Sequence, residues 1–259
     1  MTSYERVRRG REDLRPASVC EITSHMARWV SSLHDALDGG QRVRGTFVKL
    51  AALEVVELVA RSLDFAVVDL EHSQLGETDA LRLVRHAHAL GFPALVRLPE
   101  VDRGLVNRLL EAGAAGIQLS TVTRAAQIAE LRAASEYAPR GTRSISLAHP
   151  VAGFGAVPLA EYLGAVTTPL LVAQVETMQT EDPLDAILAA APDVVFVGVT
   201  DLSVDAGLDA ERAGARVDEI AAAAERAGVP LGGFGADERF RYSVVSSDVA
   251  LLQEALARA

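Results

Sequence analysis

The chain has 259 residues, a single cysteine and a formal net charge of −10, which exclude an internal disulfide, a thiolate zinc site and electrostatically driven nucleic-acid binding. The arginines at positions 6, 8, 9 and 11 are interleaved with acids and read as a solvated terminus. No apolar run could span a bilayer, and the first 15 residues lack the apolar stretch of a signal peptide. The expectation is a cytoplasmic protein with no nucleic-acid and no membrane partner.

In chain order, residues 1–40 read as an N-terminal helical extension, amphipathic over 19–37. From 41 to 259, short β-branched runs alternate with amphipathic stretches, the rhythm of βα units around a parallel sheet. Strands are expected at 46–49, 65–69, 94–97, 116–119, 170–175, 194–199, 230–233 and 242–246. Helices between them include 54–62, 78–90, 123–137 and 213–227, with a last one at 248–257. Gly91-Phe-Pro93 and Gly228-Val-Pro230 stop helices and lead into strands. Eight such strands close a (β/α)8 TIM barrel, and about 250 residues is the usual size of one. A doubly wound sheet is the structural alternative. Residues 139–169, rich in Gly and Pro, read as a long irregular loop of the kind that is usually functional.

In such a barrel reactive side chains sit at the C-terminal ends of strands, so polar residues that directly follow an apolar run carry the most weight. Val67, Asp69 and Glu71 share parity and run into His72, where an acid beside an imidazole can fix its tautomer. Capping of the next helix is the competing reading. Arg97 ends its strand as a lone guanidinium, suited to a carboxylate or enolate oxygen, or else to a salt bridge with a neighbouring strand-end acid. Gln174 shares parity with Glu176, and Val195, Val197 and Val199 share it with Asp201. Two carboxylates converging from adjacent strands repel unless a cation or a proton lies between them, and two oxygen ligands with open positions suit Mg²⁺ or Mn²⁺; the competing reading is one carboxylate capping a helix and the other exposed. Lys49 is the only lysine, hence the only side chain able to form a Schiff base. Nearby carboxylates favour its ammonium form, so it is expected to stay charged and to pair with an acid or serve structurally.

Asp69-Leu-Glu-His72, Val96-Arg97, Tyr137-Ala-Pro-Arg-Gly141-Thr-Arg143, Gln174-Val-Glu176-Thr and Gly198-Val-Thr-Asp201-Leu-Ser203 resemble, in order and spacing, the HpcH/HpaI family of metal-dependent 2-oxo acid (pyruvate) aldolases. The resemblance implies a carbon–carbon lyase in which Glu176 and Asp201 hold a divalent metal (Mg²⁺, Mn²⁺ or Co²⁺). It makes Asp69 and His72 the acid–base pair, places Arg97 at the keto oxygen, and gives Gln174, Phe47 and Thr200 contacts with substrate. It also implies a 2-oxo acid and an aldehyde as small-molecule partners and a homo-oligomer, a hexamer, with residues 248–257 packing on a neighbour. The chain departs from the family pattern at Val199, Ser120 and Ser144, and the last two put the pocket's shape and the acceptor aldehyde in question. The alternatives on the same barrel are a citrate-lyase-β-like acyl-CoA lyase, a 2-oxo acid decarboxylase or hydrolase, and a non-catalytic 2-oxo acid binder.

Overall fold

Apolar strands flanked by Gly, Pro and acidic residues cannot stay solvated, and here they bury both faces by curling into a ring. The computed structural model describes residues 33–259. Most of the expected extension 1–40 lies outside the described residues. The strands are β1 (Val43–Val48), β2 (Phe65–Asp69), β3 (Ala94–Leu98), β4 (Gly116–Leu119), β5 (Leu170–Val175), β6 (Val194–Val197), β7 (Leu231–Phe234) and β8 (Tyr242–Ser247). All pairings are parallel and follow chain order, and β8 closes on β1. Closure leaves no unpaired strand edge. The doubly wound alternative is thereby excluded.

The helices are α1 (Leu53–Val59), α2 (Glu77–Leu90), α3 (Arg103–Ala112), α4 (Ala125–Ser135), α5 (Leu159–Ala165), α6 (Leu184–Ala189), α7 (Val199–Asp205), α8 (Ala210–Ala227) and α9 (Asp248–Ala257). Gly91 and Gly228 end α2 and α8 in the left-handed conformation, with φ of 69° and 68°, where a residue without Cβ meets no steric penalty. No helix among the described residues is long and apolar enough to cross a membrane.

Side-chain alternation along each strand separates two apolar layers. Val48, Ala66, Val68, Val96 and Leu98 face outward against α1 to α4. Phe65, Val67, Leu95, Val172, Phe196 and Tyr242 fill the barrel interior. Phe65 stacks on Tyr242 with ring centroids 4.3 Å apart, and Phe196 meets Tyr242 edge-on at 6.1 Å. Gly45 makes room for this stack, because a Cβ there would overlap the Phe65 ring. Residues 33–38 form a helical turn whose Leu33 and Leu37 bury themselves in the same interior cluster. Part of the expected extension therefore belongs to the barrel, as a plug beneath the strands' N-terminal ends.

Two expectations need correction. The stretch 139–169 is not irregular throughout: it holds a 3₁₀ turn at Pro150–Gly155 and helix α5. Its Ala152, Val157 and Tyr162 form a small core of their own, and Tyr162 shares a 3.0 Å hydroxyl contact with Tyr137. The strand expected over 194–199 stops at Val197, and Gly198 caps α7. Strand parity does not reach Asp201, which lies in the first turn of that helix.

Replacing Gly45 by valine should force the Phe65–Tyr242 stack apart and lower stability by about 1–3 kcal/mol, the usual penalty of overpacking. Urea unfolding would detect this as a lower midpoint, and an unmoved midpoint would mean that the interior relaxes freely.

Candidate active site

A cavity of about 320 Å³ opens at the C-terminal ends of the strands. Phe47, His72, Arg97, Gln174, Thr200 and Asp201 line it, together with Lys49. Asp69 and Glu176 are buried carboxylates bonded to lining residues. The structure thus brings every expected site residue to one end of the barrel, though not in every expected pairing.

Asp69, the last residue of β2, sits opposite Arg97 of β3 in the ladder register. Its carboxylate accepts a fork of two hydrogen bonds from Arg97, Nε to Oδ1 at 2.9 Å and Nη2 to Oδ2 at 2.7 Å. Lys49 Nζ lies 2.8 Å from the same Oδ2 and also donates to the His72 carbonyl at 2.9 Å. The backbone amides of Glu71 and His72 complete the shell on Oδ1, at 3.1 and 3.2 Å. Lys49 is therefore paired with a carboxylate, as the local charge implied. Arg97 makes the strand-end salt bridge, and its plane also covers the Phe47 ring at 4.4 Å. Burial alone would raise the Asp69 carboxyl, but the hydrogen bonds and charge of Arg97, then the Lys49 hydrogen bond, hold it well below the ordinary carboxylate range.

The expected pairing of Asp69 with the His72 imidazole is replaced by this arrangement. Asp69 meets the backbone of His72, and the imidazole, more than half exposed, has Nε2 3.9 Å from Glu71 Oε2. Arg97 fills both carboxylate oxygens with charge-assisted hydrogen bonds, and Lys49 takes a further place on Oδ2. Glu71 in turn lies 3.3 Å from Arg97 Nη1.

Glu176 stands across the barrel, one residue beyond β5. Thr121 donates both its N–H and its Oγ–H to Glu176 Oε1, each at 2.8 Å, and Gln174 Nε2 donates to Oε2. Behind Gln174, Gln118 Nε2 donates to its Oε1 at 2.6 Å, and the Tyr242 hydroxyl points to Gln118 Oε1 at 3.4 Å. Burial pushes the Tyr242 phenol well above its ordinary value, so it remains a donor. Gly198 lets the Glu176 side chain pack directly against its backbone, since a Cβ there would collide with Glu176 Oε2. Every donor on Glu176 is neutral, and among the described residues neither Glu176 nor Asp201 is ion-paired with a basic side chain. The contrast with Asp69 is sharp: one carboxylate is neutralised by two cations, the other is left with its charge.

Sequence reasoning did not single out Gln118 or Thr121. An amide inside the apolar run Gly116–Leu119 was a visible signal for the first. Nothing local marked the second. Ser120, at the family's expected proline, is buried with its N–H and hydroxyl both on Leu98 O, at 3.0 and 3.2 Å, and Ser144 is exposed.

Comparison with known proteins gives the following. The sequence pattern of the family described as HpcH/HpaI aldolase/citrate lyase matches residues 44–255. A hydroxypyruvate/pyruvate aldolase of Rhizorhabdus wittichii is 31% identical over 236 residues, 85% of this chain and 90% of that one. A 4-hydroxy-4-methyl-2-oxoglutarate aldolase of Hapsidospora irregularis is 29% identical over 218 residues, 80% of each chain. The crystal structure of an HpcH/HpaI aldolase from Desulfitobacterium hafniense superimposes with a TM-score of 0.79 at 31% identity, covering 87% of this chain and 94% of that one.

The depressed Asp69 carboxyl fixes the sign of a pH effect. A group whose folded value lies below its unfolded one stabilises fully above the unfolded value, about 4 for Asp, and loses that contribution as pH falls through the folded value. Asp69→Asn should lower stability at pH 7 by about 3–5 kcal/mol, the scale for breaking a buried pair. Its stability should also fall less steeply than the wild type's between about pH 4 and 2. Denaturant titrations at several pH values would read both effects, and parallel curves for the two proteins would contradict the assignment.

Proposed function

The chain belongs to the HpcH/HpaI aldolase/citrate lyase family, and from that membership we propose that it is a metal-dependent aldolase acting beside the enolate of a pyruvate-type 2-oxo acid. It is a carbon–carbon lyase by family. The observation that carries the finer reading is the division of charge across one cavity. Cations clamped on Asp69 stand on the β1–β3 side, and carboxylates without cations stand on the β5–β6 side.

Glu176 and Asp201 offer only oxygen donors and have no basic side chain paired with them among the described residues; Asp201 lines the cavity, and Glu176 is held by the lining residue Gln174. That donor set fits a hard divalent cation, Mg²⁺, Mn²⁺ or Co²⁺. A cation held there supplies a Lewis acid for the keto and carboxylate oxygens of the 2-oxo acid, raising the acidity of its C3.

The protein's own groups account for the rest. Arg97, immobilised by Asp69 and by the Phe47 ring, presents fixed positive charge to an oxygen that becomes an enolate; being already oriented, it needs no reorganisation. His72 holds an exposed imidazole at the cavity wall and moves the proton at C3. Asp69 contributes by fixing the backbone that carries His72 and the guanidinium of Arg97. Gln174 orients Glu176 and borders the bound oxo acid. Phe47 and Phe196 close one side against water, and Thr200, beside Asp201, is placed to meet the aldehyde.

The same reading carries a cytoplasmic location and a hexameric assembly. In support, α9 leaves Val249, Leu251, Leu252 and Leu256 each more than two-fifths exposed, an apolar surface of the kind that neighbours cover. Light scattering at micromolar concentration should return an oligomer, and a monomer would contradict the assembly.

Deuterium exchange at C3 of pyruvate tests the chemistry without an aldehyde. EDTA should abolish exchange, and Mg²⁺, Mn²⁺ or Co²⁺ should restore it; undiminished exchange by metal-free protein would sink the proposal. His72→Ala should slow exchange by about 10²–10⁴-fold, the usual worth of a positioned acid–base group, while leaving metal affinity nearly unchanged. Borohydride added with pyruvate should leave the intact mass unaltered, because Lys49 Nζ is engaged by the Asp69 carboxylate and the His72 carbonyl. A mass increase mapping to Lys49 would replace the metal-enolate mechanism with an iminium one.

A further inference from the structure

Thr121 combines two unusual observations. It is a β-branched residue with φ of 48°, in the left-handed region that such side chains almost never adopt. It also gives both of its donors to one oxygen of one carboxylate, Glu176 Oε1. We propose that Thr121 is a positioning residue whose turned backbone and hydroxyl together aim Glu176 at the divalent cation. This rests on the metal reading of the site given above.

The geometry explains why the turn exists. The backbone on either side of Thr121 is tied to different neighbours. Ser120 N–H donates to Leu98 O of β3 at 3.0 Å, and Val122 N–H donates to Gln174 O of β5 at 2.8 Å. The single residue between these anchors must carry the chain from one neighbouring strand toward the other. Gln127 Nε2 holds the Thr121 carbonyl at 3.2 Å from the far side. Strain of this kind persists only where the surroundings over-determine it, and here they do so on three sides. The result is that the Thr121 amide leaves the ladder and donates to Glu176 Oε1.

Glu176 needs such help. It lies one residue past the end of β5, where ladder pairing no longer fixes the chain, and a glutamate side chain has several rotatable bonds. Thr121 grips Oε1 and Gln174 grips Oε2, so the plane of the carboxylate is set and its remaining lone pairs have one direction. Because both grips are neutral, they fix direction without neutralising charge. A lysine or arginine in the same place would orient the group equally well and repel the cation. A serine keeps the hydroxyl, whereas valine keeps the shape and the β-branching and loses only the donor.

The test uses the full chain stripped of metal and Mn²⁺ as the probe, followed by the electron paramagnetic resonance signal of free Mn²⁺. Wild type should bind, and Glu176→Gln should abolish binding. Thr121→Val should weaken Mn²⁺ affinity by about 10- to 100-fold, the usual effect of removing a partner that orients a metal ligand. Thr121→Ser should recover most of the loss. Urea midpoints for both variants distinguish this from misfolding: the serine variant keeps the hydroxyl on a similar backbone, so recovery of affinity in it ties the loss to the donor. Wild-type affinity in Thr121→Val, with wild type itself binding, would overturn the role of Thr121 alone. Equal losses in the serine and valine variants would also overturn it. Failure of the wild type to bind Mn²⁺ would overturn the metal reading and this proposal with it.

Discussion

The organisation of the catalytic end depends on one buried carboxylate that is surrounded by donors. Asp69 is fully buried, and an uncompensated charge there would be prohibitive. Two cations and two backbone amides make it tolerable, and in return Asp69 fixes three separate pieces of chain: the end of β1 through Lys49, the turn that carries His72, and the guanidinium of β3. Such a hub has little value as a proton carrier. Its carboxyl is held far below the range in which it could accept a proton. Its role is geometric: it fixes the backbone that carries the exposed His72 ring.

The opposite wall follows the reverse logic. Glu176 is held just as firmly, but by an amide, a hydroxyl and a backbone N–H, with Gln118 and Tyr242 supporting the amide from within the barrel. Neutral donors restrain without discharging. The barrel mouth thus carries an anion paired with cations on one side and an anion paired with none on the other; on the proposed reading, a small oxo acid between them would meet fixed positive charge and a seat for a cation.

The fold was largely legible in the sequence because barrel strands announce themselves locally, as apolar runs ended by an acid or a Gly-Pro stop. Each of the eight expected strands exists, shifted by at most three residues at either end. The candidate site was legible as a set of strand-end positions and less so as a set of contacts. The family resemblance paired Asp69 with the His72 ring, but strand-end position carries no information on which partner takes a carboxylate, and Arg97 and Lys49 occupy it. Parity failed for Asp201, because β6 ends two residues early at Gly198. Thr121 was invisible for a deeper reason: its backbone contradicts its own local preference, and only the anchors on Leu98 and Gln174 enforce it. The small core under Tyr162 was hidden likewise, since Ala152, Val157 and Tyr162 recur at a spacing that matches neither helix nor strand periodicity within a Gly- and Pro-rich stretch.

With the sole lysine committed to Asp69, the other 24 of the 25 Lys and Arg side chains in the protein are arginines. The outer helices hold their acids with guanidinium groups, as in Arg226 with Asp185 and Arg239 with Asp218 and Asp237. A guanidinium keeps its proton to above pH 12 or so, while an exposed ammonium begins to lose its proton near pH 10. The positive charge on this surface therefore does not titrate away in alkaline solution. Electrostatic contacts between its outer elements should persist in a medium where a lysine-rich barrel would already be shedding its cations.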